Sequence, residues 1–264
     1  MKEIAVKAAH EGGRVLLQKF GGVLDVGFKG AIDLVTEADR AAEEAVVGVI
    51  RHTFPRHAVL AEEAEHGLSE GEYRWIIDPL DGTTNYTHGF PWFAVSIALE
   101  VRGEVVLGVV YNPAHQELFV AEKGQGAYCN DVQIRVSDTR RLDRCLLATG
   151  FPYDRKESEV NNYDHFVNFQ QAAQACRRAG AASLDLAYTS AGRFDGYWEM
   201  KLKPWDVAAG QLLVREAGGR ISNFSGGDFD IFSPEILASN GAVHREMIEV
   251  LRHGRCPESF TSKT

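Results

Sequence analysis

Asp78 and Asp81 stand three residues apart in the run Trp75-Ile76-Ile77-Asp78-Pro79-Leu80-Asp81-Gly82-Thr83-Thr84-Asn85. Trp75, Ile76 and Ile77 are an apolar run of the kind an interior strand uses. Asp78 falls at its C-terminal end. Pro79 has no N–H and cannot continue a central ladder, so a turn is expected there. Gly82 permits close backbone approach, and Thr83, Thr84 and Asn85 supply hydroxyls, an amide and main-chain N–H groups. Two carboxylates beside such a cradle suit a hard cation together with a phosphate. Mg²⁺ prefers carboxylate oxygen and shares its shell with substrate phosphate, while free N–H groups at a helix start or in a nest bind the anion. Taken alone, Asp-x-x-Asp-Gly is equally a turn, since Asp, Pro and Gly are all turn residues. A phosphatase with an aspartate nucleophile would place Asp-x-Asp-x-Thr after a strand, but here the second Asp comes one residue too late.

Three further segments carry acidic chemistry. Thr36-Glu37-Ala38-Asp39 has the spacing of a helix capping arrangement. Glu62-Glu63 follows a short strand, Ala58–Ala61. Neighbours on a strand point to opposite sides, so one of the pair faces the site and the other faces away. Asp206 opens a helix, where it could cap the free N–H groups or attract a phosphate and metal complex.

Taken together, Asp33-Leu34-Val35-Thr36-Glu37-Ala38-Asp39, Ala61-Glu62-Glu63, Asp78 to Asn85 and Trp205-Asp206-Val207-Ala208-Ala209-Gly210 span most of the chain. In these segments the chain resembles the inositol monophosphatase family, which belongs to the Mg²⁺-dependent, lithium-sensitive phosphatases. The resemblance implies a layered αβαβα sandwich and a site for two or three Mg²⁺ ions. It implies that Glu63, Asp78, the Leu80 carbonyl, Asp81 and Asp206 bind metal. Glu63, or Thr83 held by Asp39, would assist the attacking water. Gly82, Thr83 and Thr84 would hold the phosphate, and Gly180, Ala182, Glu199 and Asp206 would face the rest of the substrate. Lys29 is either a solvated lysine or the family's flexible lysine near the metals. The implied reaction is hydrolysis of inositol 1-phosphate to myo-inositol and phosphate by a homodimer. The alternatives are a fructose-1,6-bisphosphatase or broader sugar-phosphate phosphatase, and a regulatory protein that acts mainly by binding a partner.

The elements that must position these residues divide the chain in two. Residues 1–140 read as an α+β half with a mostly antiparallel sheet. It has helices at 2–20 and 37–52 and a hairpin turning at Arg102-Gly103. Residues 141–264 alternate strands and helices as an α/β half does. Helices are expected at 160–175, 183–191, 206–217 and 241–252, the third ended by Gly218-Gly219. Of the 264 residues, 45% are hydrophobic and 25% charged, as in ordinary soluble proteins. A net charge of −9 argues against nucleic-acid binding, which needs Lys and Arg. No secretory signal or membrane span is expected. Cys129, Cys145, Cys176 and Cys256 are scattered without a Cys-x-x-Cys pair, so reduced thiols in a cytoplasmic protein are expected.

Overall fold

A computed structural model describes residues 1–22, 26–28, 34–63 and 71–253. Lys29, Asp33 and Cys256 lie outside the described residues. The first layer is a helix pair, α1 (Lys2–Lys19) and α2 (Glu37–Thr53). Buried Ala5, Ala8, Ala9, Gly12 and Leu16 make one stripe on α1. A Cβ at Gly12 would come within 2.7 Å of Val46 on α2, so the glycine lets the helices close up. Two short strands, β1 (Val26–Phe28) and β2 (Leu34–Thr36), pair antiparallel just before α2. The expected capping arrangement is present: Thr36 caps α2, and Asp39 answers the Thr36 backbone.

The second layer is a seven-stranded sheet, β3 (Ala58–Ala61), β4 (Tyr73–Asp81), β5 (Ala94–Val101), β6 (Glu104–Asn112), β7 (Glu117–Glu122), β8 (Ala127–Cys129) and β9 (Val132–Ile134), in that spatial order. Within this sheet, among the described residues, only the β3–β4 pair is parallel. A short helix, α3 (Thr83–Thr87), joins β4 to β5. Side chains alternate across the sheet, as the two-residue period of a strand requires. Trp75, Ile77, Val95, Ile97 and Val109 pack toward α1 and α2. Ile76, Ala94, Ala98 and Val110 pack toward the next layer.

Five strands form the other sheet: β10 (Leu146–Thr149), β11 (Ala175–Arg177), β12 (Gly196–Met200), β13 (Arg220–Ser222) and β14 (Glu235–Ser239). Their order is β11-β10-β12-β14-β13. The pairs made by β10 are parallel, and those made by β14 are antiparallel. On its outer face lie α4 (Tyr163–Ala172) and α7 (His244–His253). Between the two sheets lie α5 (Ala182–Ser190) and α6 (Pro204–Glu216). The layers therefore run helix, sheet, helix, sheet, helix, the αβαβα sandwich that the resemblance implies. On β6, Gly108 lets α6 sit close, because a Cβ there would lie 2.7 Å from the Ala209 carbonyl oxygen. No helix among the described residues is long and apolar enough to cross a membrane.

Two local expectations change. The chain does not leave the sheet at Pro79; β4 continues to Asp81 through a register shift against β5. The last β3–β4 pair is Ala61 with Ile77, so Pro79 has no neighbour on that side to receive the N–H it lacks. The helix expected over 160–175 stops at Ala172, and Ala175–Arg177 becomes strand β11.

Candidate active site

The irregular end of β4 is where the acidic side chains gather. A bulge re-aims the side chains of the strand that carries it. Here it leaves Asp78 and Asp81 both buried, on either side of Pro79 and Leu80. The Leu80 N–H donates to Asp78 Oδ1 at 2.9 Å. Gly82 follows with φ +92°, and a Cβ there would lie 2.9 Å from the Trp92 carbonyl oxygen. Both facts demand glycine. Helix α3 starts directly after it, leaving the first N–H groups of that turn without helical acceptors.

Asp81 reaches across to the middle helix layer. Its Oδ1 accepts the Ala182 N–H at 3.2 Å, and its Oδ2 accepts the Ser183 N–H at 2.7 Å and the Ser183 hydroxyl at 2.5 Å. Since α5 has no side-chain cap of its own, Asp81 caps it from another element. Asp206 is the third residue of α6, behind Pro204, rather than its N-cap. Its Oδ2 accepts the Lys203 N–H at 2.7 Å. The Ser96 hydroxyl donates to the Trp205 carbonyl at 3.2 Å and holds the start of α6 against β5.

Thr83 and Asp39 meet as expected. The Thr83 hydroxyl lies 3.1 Å from Asp39 Oδ1 and 3.1 Å from the Leu80 carbonyl oxygen. The other Asp39 oxygen accepts the Thr36 N–H at 2.8 Å and the Thr36 hydroxyl at 2.6 Å. Capping and the contact to Thr83 thus use different oxygens of one buried carboxylate.

The electrostatics of the group are those of like charges held together. Burial pushes the Asp78 carboxyl well above the usual range, and the charges of Glu62, Asp81 and Asp206 push it further. Asp206 is raised well above its ordinary value by burial, then by Glu62 and Asp81. Asp81 is raised by burial against the pull of its hydrogen bonds from Ser183, Ala182 and Leu184. It is Glu62, not Glu63, whose charge acts on both Asp78 and Asp206. The strand ends at Ala61, so strand alternation does not govern the pair, and the Glu63 N–H is held by Glu43 Oε2 at 2.9 Å. Crowded, buried carboxylates are costly without a compensating cation. The donor set is all hard oxygen, which fits Mg²⁺. Among the described residues, no three carboxylate, imidazole or thiolate groups already stand at the spacing of a metal shell.

A cavity of about 280 Å³ brings Asp81, Gly82, Gly180, Ala182, Glu199 and Asp206 into one wall. Asp78, Leu80, Thr83 and Asp39 are buried and do not line this cavity, and Thr84 is exposed on α3. Gly180 also has φ +92°. Glu199 is buried on β12, with its Oε2 accepting the Tyr197 hydroxyl at 2.6 Å. Burial lifts its carboxyl to about 7, with Tyr197 and Arg178 opposing the rise. A larger cavity of about 360 Å³ opens at the far end of α6, by Lys123, Arg215 and Asp230, and holds none of these residues.

Some contacts at the site were not expected from the sequence. Asn85 Nδ2 lies 2.8 Å from the Trp92 carbonyl and 2.9 Å from that of Ala179, tying α3 to the Gly180 turn. Any Cβ at Gly150 would run into the Glu199 carboxylate. Ser183 completes the grip on Asp81.

The inositol monophosphatase family model matches residues 1–255. The Nus factor SuhB of Escherichia coli is 43% identical over 259 residues, covering 96% of this chain and 96% of that protein. The solved inositol monophosphatase of Anabaena (Nostoc) sp. superposes with a TM-score of 0.88 at 44% identity, over 95% of this chain and 94% of that one. A solved IMPase/NADP phosphatase complexed with Mg²⁺ and phosphate superposes with a TM-score of 0.80 at 26% identity, over 91% of this chain and 90% of that one. On the strength of a match along nearly its whole length, the chain belongs to the inositol monophosphatase family.

Proposed function

We propose that the chain is a Mg²⁺-dependent phosphate monoester hydrolase whose substrate is inositol 1-phosphate. The observation that carries this reading is the gathering of Asp78, Asp81 and Asp206 with the charge of Glu62, beside a cavity that also holds Glu199. Asp78, Asp81, Asp206 and the Leu80 carbonyl would hold the metal, with Glu62 taking the place first given to Glu63. Bound there, Mg²⁺ supplies a water of lowered pKa and charge stabilisation for the leaving alkoxide. Thr83, held by Asp39, orients the attacking water. The N–H groups of Gly82, Thr83 and Thr84 face the phosphate oxygens, where charge spreads in the transition state. Glu199, with Gly180 and Ala182, receives the alcohol portion. Its buried acceptor favours a substrate with hydroxyls to donate. We extend the family's homodimer to this chain.

The test is phosphate release from inositol 1-phosphate and fructose 1,6-bisphosphate, with and without Mg²⁺, with Asp78→Asn alongside. Release that needs Mg²⁺, runs fastest on inositol 1-phosphate and is lost in the variant supports the reading. Faster release from the bisphosphate keeps the chemistry and moves the substrate. A similarity to a protein named as a Nus factor favours a second reading, in which partner binding is the main activity. Absence of release by folded protein would favour it.

A further inference from the structure

One cation in the wall of the substrate cavity has no task in the scheme above. Arg178 follows β11 and precedes the Gly180 turn, and its guanidinium lies over that turn. A Cβ at Gly180 would run into Arg178 Nη1. The side chain lines the same cavity as Glu199 and Asp206, and the residue is exposed. Among the described residues, Arg178 has no hydrogen-bond or ion-pair partner.

Glu199 is held differently. Its carboxylate is packed against Gly150 and takes the Tyr197 hydroxyl on Oε2, which leaves accepting capacity toward the cavity. Arg178 and Glu199 line the same cavity, yet among the described residues they form no ion pair. A carboxylate only accepts and a guanidinium only donates. Lining one cavity and unbonded to each other, they match two adjacent hydroxyls, one donating to Glu199 and the next accepting from Arg178. A second phosphate fits the spot less well. The Glu199 carboxylate already lines the spot as an acceptor, so an added anion would have to face it.

We propose that Arg178 is a specificity residue that, with Glu199, selects phosphate esters whose alcohol carries a vicinal diol. This assignment rests on the phosphatase reading above and names the substrate class of the same site. A charge-assisted hydrogen bond at a partly open position corresponds to about a tenfold effect.

The experiment compares kcat/KM for inositol 1-phosphate with that for p-nitrophenyl phosphate, which has no diol, in the Mg²⁺-loaded protein. In Arg178→Ala the ratio of the two is expected to fall about tenfold. In Arg178→Lys it is expected to stay below the wild-type ratio, because an ammonium lacks the planar fork. A ratio in Arg178→Ala within about twofold of wild type would overturn the assignment, and so would full recovery in Arg178→Lys. Hydrolysis of both esters with an unchanged ratio sinks the role of Arg178 alone. A wild-type protein that hydrolyses neither ester sinks both readings.

Discussion

Replacing Asp78 with Asn should stabilise the metal-free protein while abolishing its phosphatase activity. Asp78 is 2% exposed, and the charges of Glu62, Asp81 and Asp206 all bear on it. Its single hydrogen bond among the described residues, from the Leu80 N–H to Oδ1, survives in the amide. Two like charges ~6 Å apart at an effective dielectric of ~20 repel by about 3 kcal/mol. Relieving part of such repulsion from three neighbours gives an expected gain of about 1–3 kcal/mol, or about 3–9 °C in Tm for a chain of this size. The sign with pH follows from linkage. The folded carboxyl is raised above its unfolded value, so the folded state binds more protons. Wild-type stability from this group is therefore intact below the unfolded pKa, near ~4, and is lost as pH rises toward the folded value. The variant lacks that loss, so its advantage should be larger at pH 8 than at pH 5. Thermal melts in EDTA and in saturating Mg²⁺, at both pH values, make the test. Mg²⁺ should shrink or reverse the variant's advantage, because ligand at ~100 times Kd stabilises the wild type by about 2.7 kcal/mol and the weakened site gains less. A variant no more stable than wild type in EDTA at pH 8, or an equal Mg²⁺ shift in both proteins, would refute the idea that these carboxylates are gathered for a cation.

Two other substitutions probe the parts that position the site. Thr83→Ala removes the hydroxyl that lies 3.1 Å from Asp39 Oδ1; kcat should fall about 10–100-fold with little change in KM, measured by steady-state phosphate release. Gly108→Ala places a Cβ 2.7 Å from the Ala209 carbonyl oxygen and 3.0 Å from its Cα. Because backbone rather than a flexible side chain is in the way, α6 must shift, costing about 1–3 kcal/mol and about 3–9 °C in Tm. Since α6 carries Asp206, the Mg²⁺ concentration for half-maximal rate should rise as well, and an unchanged value would mean that helix and metal position are uncoupled.

The elements with strong periodic signals were legible in the sequence. The run Trp75-Ile76-Ile77 is an interior strand, Arg102-Gly103 turns a hairpin, and the helix expected over 206–217 is α6, which opens two residues earlier at Pro204. Propensity failed where neighbours decide. Pro79 stays in β4 because β3 has already ended, and the sequence does not announce where a neighbouring strand stops. Ala175–Arg177 reads as the tail of a helix until β10 offers it a ladder. Strand alternation leaves one of Glu62 and Glu63 facing the site, and the family resemblance names Glu63; alternation lapses once the strand ends at Ala61, and it is the charge of Glu62 that acts on Asp78 and Asp206. The contacts of Asn85 and Gly150 were illegible for another reason. Their partners are distant in sequence, Ala179 for Asn85 and Glu199 for Gly150, and neither carries a local motif for such contacts.

The two aspartates of the central motif, alike in sequence, are unlike in their surroundings. Asp81 has the Ala182 and Ser183 N–H groups and the Ser183 hydroxyl on its oxygens, at the positive end of α5. Asp78 has the Leu80 N–H alone. Both are raised by burial, but only Asp78 is raised well above the ordinary range. Asp81 therefore carries its charge more readily without a cation, and it anchors the middle helix layer to the first sheet. Among the described residues Asp78 has no comparable partner, and a bound cation would supply one. Loss of Asp81 would confound structure with chemistry, since it uncaps α5 and displaces the Ala182 end of the substrate cavity. Loss of the Asp78 charge leaves those bonds in place, which is why the opposite effects of Asp78→Asn on stability and activity discriminate a metal site from a merely acidic turn.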